Sequence, residues 1–340
     1  MSRDTVKDPV EREGARRSDL KRVKGATFVF PGQGAQYVGM GADLSGRFQT
    51  VKDTFALAES VLRTRLGVEM PVAKLSFRGP FEELAETTAT QVSVFTLSCA
   101  ILFLLRDHGY RPESVAGHSL GEYTALVAAE VLSFEDAIPV VWKRADLMRA
   151  AVRERPGRMA AVLGLPAAEV EEAVRTLAGE GVIAVANYNC PGQVVVSGDA
   201  DLVTRSAVVF EKLGARRVIP LDVAGAFHSP LMSEAQARFA NVLAESSFRD
   251  PKIPIVSNVS ARPVRDASKL KEQLPEQVGG SVLWEQSIRR LRADGTRLFV
   301  ECGPGHVLSG LNRKILTDGV VSSVEDRETL EATLKLLEDL

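Results

Sequence analysis

The heptapeptide Gly117-His118-Ser119-Leu120-Gly121-Glu122-Tyr123 constrains the folding of this chain more than any other stretch. It follows a short segment, residues 111–116, that becomes apolar at its end, and it precedes an alanine-rich segment, residues 124–131. A strand, a glycine-flanked serine and a helix, in that order, form a nucleophile elbow, in which a sharp turn raises a serine hydroxyl out of the backbone. The heptapeptide therefore predicts Ser119 as a candidate nucleophile, although G-x-S-x-G alone also occurs in unrelated proteins.

The two glycines of this motif have a steric reason. Side chains two positions before and after Ser119 would collide across so tight a turn, and glycine has none. The helix that follows points its free N–H groups and the positive end of its dipole back at the serine. An oxyanion that forms on an acyl group attached to Ser119 would therefore meet hydrogen-bond donors already in place.

Composition excludes several classes of function. Among the 340 residues, 45% are hydrophobic and 25% charged, which is ordinary for a globular protein, and a net charge of −2 gives no indication of nucleic-acid binding. The longest apolar stretch, residues 94–105, is shorter than the roughly 20 residues of a membrane span and is predicted to be a buried helix. Cys99, Cys190 and Cys302 form no C-x-x-C pair, so neither a zinc site nor a disulfide framework is expected, and a reduced, cytoplasmic setting follows.

The first 24 residues differ from the rest of the chain. They carry thirteen charges of both signs and no hydrophobic run, so they are not a secretory signal. We expect residues 1–24 to be a mobile, solvated tail.

The remaining chain predicts an α/β protein in two parts. Strands that alternate with helices in residues 25–156 and 222–340 indicate a hydrolase-like core with a parallel sheet. Within it, residues 43–65 and 81–107 are predicted helices, and after a turn at residues 302–306 only helices are expected. Residues 157–221 show the order β-α-β-β-α-β, which predicts a small ferredoxin-like subdomain inserted into the core.

A second glycine-containing turn, Pro31-Gly32-Gln33-Gly34-Ala35-Gln36, ends the first predicted core strand. A dinucleotide-binding G-x-G-x-x-G would need glycine at Tyr37, and no Gly-Lys-Ser/Thr follows for a P-loop. The turn is therefore either a plain connection to the next helix or a loop that brings backbone N–H groups close to another site.

A nucleophilic serine needs a base, and histidine is the usual one near neutral pH. Of the four histidines, His108 is predicted at the surface and His118 is held in the elbow itself. His306 lies in a glycine–proline turn where an α/β-hydrolase would keep its catalytic histidine. His228 lies where the inserted subdomain returns to the core. The residues alone leave the choice between His228 and His306 open.

Five motifs in order along the chain resemble one family. They are FPGQGAQ (residues 30–36), GHSLGEY (117–123), NCPGQVVVSG (189–198), AFHSP (226–230) and ECGPG (301–305). Together they resemble malonyl-CoA:acyl carrier protein transacylases and the acyltransferase domains of polyketide synthases, from about Ala26 to the end of the chain. The resemblance implies the α/β core with a ferredoxin-like insert and a Ser119–His228 pair without a carboxylate partner, His228 being oriented by a main-chain carbonyl.

The resemblance also implies roles for other residues. The backbone N–H groups of Gln33 and Leu120 match the family's oxyanion hole, and Arg144 matches the arginine that pairs with the malonyl carboxylate. Gln277, upstream of Trp284, matches by spacing a glutamine that lines the site. Phe227 is the bulky residue of malonyl-selective relatives, whereas Gly225 departs from the histidine that many malonyl-selective polyketide domains have there.

These observations predict a malonyltransferase that uses malonyl-CoA and an acyl carrier protein, through a malonyl-serine intermediate and without a metal or cofactor. Fatty-acid synthesis and a trans-acting role in polyketide synthesis both remain open. Two alternatives are an acyl-thioester hydrolase on the same fold and a catalytically silent module that binds carrier proteins. Arg144 argues against the hydrolase, and intact Ser119 and His228 argue against the silent module.

Overall fold

A computed structural model describes residues 20–340, which form two sheets surrounded by helices. The strands, in chain order, are β1 (Lys21–Phe30), β2 (Tyr110–Gly117), β3 (Gly157–Leu163), β4 (Ile183–Cys190), β5 (Gln193–Asp199), β6 (Arg217–Pro220), β7 (Ile255–Val256), β8 (Pro263–Val264), β9 (Leu298–Cys302) and β10 (Val320–Val324).

The helices alternate with these strands in the larger part of the chain. They are α1 (Ala42–Arg47), α2 (Gln49–Leu66), α3 (Val72–Arg78), α4 (Phe81–Leu84), α5 (Thr87–Asp107), α6 (Gly121–Ala128), α7 (Phe134–Glu154), α8 (Ala167–Leu177), α9 (Ala200–Lys212), α10 (Ser233–Glu245), α11 (Ala267–Gly279), α12 (Trp284–Ala293), α13 (Val307–Ile315) and α14 (Arg327–Glu338). A short 3-10 helix, Pro230–Met232, precedes α10.

The larger sheet has the strand order β10-β9-β1-β2-β7-β8. Its strands are parallel except for the edge pair β7–β8, so the prediction of a parallel α/β core is confirmed. The central strand β1 is apolar and buried over its second half, as expected for a strand covered on both faces. Functional groups at the carboxyl ends of β1 and β2 consequently lie side by side.

The smaller sheet has the order β4-β5-β3-β6, with all its pairs antiparallel. Helices α8 and α9 pack against it around a separate apolar core that includes Val162, Val196 and Phe210. This arrangement confirms the predicted ferredoxin-like insert. The insert joins the core through Val282, whose backbone N–H donates to Ala186 O and whose carbonyl accepts from Tyr188 N–H.

Helix α5 is the longest apolar helix of the described residues. It is long and apolar enough to span a membrane, and most of its side chains are buried inside the protein against α2 and α7. The predicted buried helix at residues 94–105 thus belongs to the core of the larger domain.

Four predictions about secondary-structure elements were wrong. Strand β1 begins at Lys21, so residues 21–24 are strand and not tail, while residues 1–19 lie outside the described residues. The predicted helix 43–65 is interrupted at Phe48, whose backbone is extended, and the predicted helix 81–107 is two helices, α4 and α5, because Glu86 leaves the helical region. The chain also does not end in helices alone, since β10 pairs with β9 between α13 and α14.

The turn between β2 and α6 is as tight as the glycine spacing predicts. A Cβ at Gly117 would lie 1.9 Å from the carbonyl carbon of Gly121, and a Cβ at Gly121 would lie 2.0 Å from the carbonyl oxygen of Phe30. Ser119, between them, has a φ of 51°, in the left-handed region that non-glycine residues rarely adopt. Neither glycine can be replaced without moving backbone.

We therefore expect Gly121→Ala to lower the free energy of unfolding by roughly 1–3 kcal/mol or more, because the added methyl group overpacks against backbone. Gly310→Ala is the matched control, because this helical glycine in α13 has nothing within 4 Å of its Cβ position. The control should gain about 0.5–1 kcal/mol from the better helix propensity of alanine. Chemical denaturation measures both, and a Gly121→Ala protein as stable as wild type would contradict the elbow geometry.

Candidate active site

Ser119 and His228 meet at the carboxyl end of β2. Ser119 Oγ lies 2.8 Å from His228 Nε2, although the two residues are 109 positions apart. His228 Nδ1 lies 2.8 Å from the carbonyl oxygen of Gln277 and 3.1 Å from that of Gly280. Carbonyl oxygens only accept hydrogen bonds, so Nδ1 carries the proton and Nε2 presents its lone pair to the serine hydroxyl.

The electrostatic surroundings keep His228 neutral. Burial and the nearby positive charge of Arg144 lower the pKa of His228 to about 3, against an ordinary value near 6.5. The imidazole is therefore unprotonated at Nε2 over the whole neutral range and is available as a base. No hydrogen bond joins it to a carboxylate within residues 20–340, and main-chain carbonyls hold the ring instead.

Arg144, on α7, is the second side chain that hydrogen-bonds to the serine hydroxyl. It is 1% exposed, and its Nη2 donates to Ser119 Oγ (3.0 Å) and to Gln277 Oε1 (2.9 Å), while Nη1 donates to Gln91 Oε1 (2.7 Å). The guanidinium also lies over the ring of Tyr123 at 5.2 Å. Burial lowers the pKa of Arg144 from its high ordinary value, but arginine stays charged at any working pH. Among residues 20–340, no carboxylate hydrogen-bonds directly to the guanidinium.

Gln277, predicted from spacing alone, is fully buried in α11 and contacts the rest of the site through three groups. Its carbonyl accepts from His228, its Oε1 accepts from Arg144, and its Nε2 donates to Ser119 O (2.8 Å) and to Glu122 Oε2 (2.7 Å). One residue thereby fixes the base, the cation and the backbone of the nucleophile.

The loop at residues 31–36 lies directly against the elbow. His118 N–H donates to Phe30 O (2.9 Å), and a Cβ at Gly32 would come within 2.5 Å of His118 O. The loop that contains the Gln33 N–H therefore packs against the elbow, in which the Leu120 N–H lies one residue before α6 begins. Within the described residues neither of these two N–H groups makes a hydrogen bond to the protein, which leaves both available to an acyl oxygen.

Phe227 and Gly225 precede the base. Phe227 is 5% exposed, and its N–H donates to Gly225 O (3.0 Å). A Cβ at Gly225 would lie 2.3 Å from Cγ2 of Val152, so a side chain at this position would require Val152 to move. Glycine at this position thus goes together with close packing of Val152.

The other histidines lie apart from the serine hydroxyl. His306 is exposed at the start of α13 and makes no hydrogen bond to Ser119, and His108 is exposed at the end of α5, as predicted. His118 Nε2 lies 2.9 Å from Asn189 Oδ1 and its ring packs on Trp284, which ties the elbow to the inserted subdomain. Burial lowers the pKa of His118, so this ring is neutral too.

Sequence reasoning missed three buried polar residues of the site, Gln91, Glu122 and Asn258. Asn258 clamps the elbow from both sides, since its Oδ1 accepts from Ser119 N–H (2.7 Å) and its Nδ2 donates to Gly117 O (2.6 Å). Glu122 accepts from Gln277 and from Asn258 N–H (3.3 Å). Glu122 stood inside the GHSLGEY motif but was given no role there, and Gln91 and Asn258 belong to none of the five motifs.

Comparison with known proteins identifies the family of this chain. The acyl transferase domain model matches residues 27–330. The malonyl CoA-acyl carrier protein transacylase of Bacillus subtilis (strain 168) is 41% identical over 313 residues, which cover 92% of this chain and 97% of the relative.

Two solved structures share the fold over nearly their full length. An acyl carrier protein S-malonyltransferase from Vibrio cholerae O1 biovar eltor is 38% identical, with a TM-score of 0.86 over 91% of this chain and 100% of that one. A malonyl-transacylase solved in complex with its type II PKS acyl-carrier protein is 36% identical, with a TM-score of 0.87 over 92% of this chain and 99% of that one. The chain described here therefore belongs to the acyl transferase family, among the malonyl-CoA:acyl carrier protein transacylases.

Proposed function

We propose that this protein moves a malonyl group from malonyl-CoA to the phosphopantetheine thiol of an acyl carrier protein, through an ester on Ser119. The observation that carries the proposal is that one hydroxyl oxygen, Ser119 Oγ, lies within hydrogen-bond distance of both a neutral imidazole and a buried guanidinium. The imidazole suits the attack on a thioester, and the guanidinium suits an acyl group that carries a carboxylate.

In the first half-reaction His228 Nε2 takes the proton of Ser119 Oγ while that oxygen attacks the thioester carbonyl carbon. The negative charge moves to the carbonyl oxygen, where the N–H groups of Gln33 and Leu120 can stabilise it, each donor contributing roughly 3 kcal/mol. The carbon–sulfur bond then breaks, and coenzyme A leaves as a thiol with the proton from His228. The second half-reaction reverses these steps with the carrier's thiol as the nucleophile, and it restores the serine hydroxyl.

Arg144 accounts for the preference for a malonyl group. A carboxylate that enters a buried site needs a charged partner, because an unpaired charge is expensive to remove from water. The guanidinium is fixed by Gln91, Gln277 and the Tyr123 ring, so little additional ordering is needed when the substrate binds.

Two rival functions fit the site less well. A thioester hydrolase that clears acyl chains has no need of a buried arginine beside its nucleophile. A silent carrier-binding module has no need of an aligned Ser119–His228 pair.

Relatives with the transferase name include one solved with a polyketide carrier, so the proposal covers both fatty-acid and polyketide settings. Both substrates are water-soluble and the three cysteines are unpaired, which supports a cytoplasmic location.

The nucleophile and base are tested by the rate of covalent labelling with malonyl-CoA. Ser119→Ala should abolish the malonyl adduct, and His228→Ala should slow its formation by on the order of 10²–10⁴-fold, because general base catalysis is lost. His306→Ala is the matched control and should label at the wild-type rate, since this histidine is exposed. A greater loss in His306→Ala than in His228→Ala would contradict the assignment of the base.

The carboxylate partner is tested by acyl preference. Arg144→Ala should lower kcat/KM for malonyl-CoA relative to acetyl-CoA by on the order of 10²-fold or more, because hydrogen bonds to charged groups contribute roughly 1.5–3 kcal/mol each. Arg153→Ala, at an exposed arginine of the same helix, is the control and should keep the wild-type ratio. An unchanged ratio in Arg144→Ala would contradict the role of this arginine.

Phe227 is expected to set selectivity against branched malonyl groups. A buried ring beside the base leaves little room for an extra methyl at the acyl Cα, a discrimination of roughly 1–3 kcal/mol. Phe227→Ser should raise kcat/KM for methylmalonyl-CoA relative to malonyl-CoA by roughly 10–200-fold. Equal kcat/KM for the two substrates in wild type would contradict this role.

A further inference from the structure

Glu122 is a buried carboxylate for which the proposed acyl-transfer chemistry has no direct use. It is 2% exposed, and it is held by Gln277 Nε2 at 2.7 Å and by Asn258 N–H at 3.3 Å. Gln277 in turn accepts from Arg144 through Oε1, so a single amide group connects the carboxylate to the guanidinium. Glu122 is thus the acidic residue electrostatically coupled to Arg144 across the site.

Within the described residues, Arg144 and Glu122 are the pair of opposite charges that can compensate each other at the site. His228 and His118 are neutral, Arg144 is positive, and an ionised Glu122 supplies the compensating negative charge. A malonyl group on Ser119 adds a second carboxylate to the same buried space, while the number of buried cations stays at one. Two carboxylates that share one cation cannot both keep their charge at low energy, and the usual outcome is that one of them takes up a proton.

We propose that Glu122 is the resident counter-ion of Arg144 and takes up one proton when a dicarboxylic acyl group occupies the site. The inference rests on the proposed malonyl transfer and adds a linkage between substrate charge and protonation. The transfer itself is balanced in protons, since a hydroxyl and a thioester give an ester and a thiol. The additional proton comes from solvent, and Oε1, with the longer hydrogen bond, is the better position for it.

The groups identified around Glu122 come from its own helix, from α7, from α11 and from the segment after β7. Arg144 from α7 and Tyr123 of its own helix are the charged or titratable ones, whereas Gln277 from α11 and Asn258 after β7 are neutral amides. Burial raises the pKa of Glu122 to about 7, while Gln277, Asn258 and Arg144 oppose that rise. An added malonyl carboxylate raises this pKa further. Proton uptake is therefore absent where Glu122 is already protonated, at acidic pH, and appears as the pH rises above about 7.

The experiment measures the rate of single-turnover acylation of Ser119 by malonyl-CoA and by acetyl-CoA at a series of pH values. Mass spectrometry detects the ester that forms in each case. Acetyl-CoA carries no carboxylate but uses the same serine, base and leaving thiol, so effects of pH on those groups cancel in the ratio. In wild type the malonyl-to-acetyl ratio of kcat/KM should fall with rising pH above about 7, by up to about tenfold per pH unit. Coenzyme A thiol is released in both reactions, so its ionisation affects both equally. A weakly buffered indicator assay should therefore record about one proton more taken up per malonyl ester than per acetyl ester, at the pH values where the wild-type ratio falls.

Glu122→Gln imitates the protonated carboxyl group. In this variant the ratio should become independent of pH and exceed the wild-type ratio at alkaline pH, an increase that mere structural damage would not produce. Glu301→Gln is the matched control, because burial also raises the pKa of Glu301 to about 7 but its carboxylate binds the N–H groups of Leu308 and Ser309 at the start of α13. This control should keep the wild-type dependence on pH.

The outcomes separate this inference from the proposed function. If no malonyl ester forms on Ser119 at any pH, the proposed function fails. If the ester forms but the wild-type ratio is independent of pH and no proton is taken up, only the role of Glu122 is overturned. The wild-type measurements decide the matter even if Glu122→Gln does not fold.

Discussion

The base, the guanidinium and the backbone of the nucleophile are all held by hydrogen bonds of Gln277. Its carbonyl fixes the tautomer of His228, its amide oxygen holds Arg144, and its amide nitrogen reaches both Ser119 O and Glu122. Because Gln277 is fully buried, these bonds form away from water, where hydrogen bonds to charged groups are strong and unpaired polar atoms are costly. The site therefore needs no carboxylate beside the histidine.

The fold brings Gln277 into this position through long-range packing. Helix α11 packs against α10, and the chain that follows it joins the inserted subdomain at Val282. The elbow is fixed independently, by the close approach of Gly117 and Gly121 and by the Asn258 clamp. The strained backbone of Ser119 thus persists because its neighbours on both sides are held by the sheet and by a buried amide.

Local sequence predicted the parts of this structure that depend on local sterics and missed those that depend on distant partners. The elbow followed from glycine spacing, and the βαββαβ insert followed from the order of the predicted strands and helices. The choice of His228 over His306 as the base could not be made from local sequence. The residues left both histidines open, and only the resemblance to a family favoured His228. Glu122 was invisible as a site residue because its partners, Asn258 and Gln277, lie 136 and 155 residues away. Strand β10 has only five residues, most of them partly exposed, so its sequence shows no clear alternation of apolar and polar residues that would predict a strand.

The fate of the acyl-enzyme is the most direct test of malonyl transfer. Wild-type protein mixed with malonyl-CoA and freed of excess substrate should carry one malonyl group, mapped by mass spectrometry to Ser119. The adduct should persist in buffer and disappear on addition of a holo acyl carrier protein, with malonyl appearing on the carrier. Decay at the same rate with and without the carrier would contradict transfer and would identify the protein as a hydrolase.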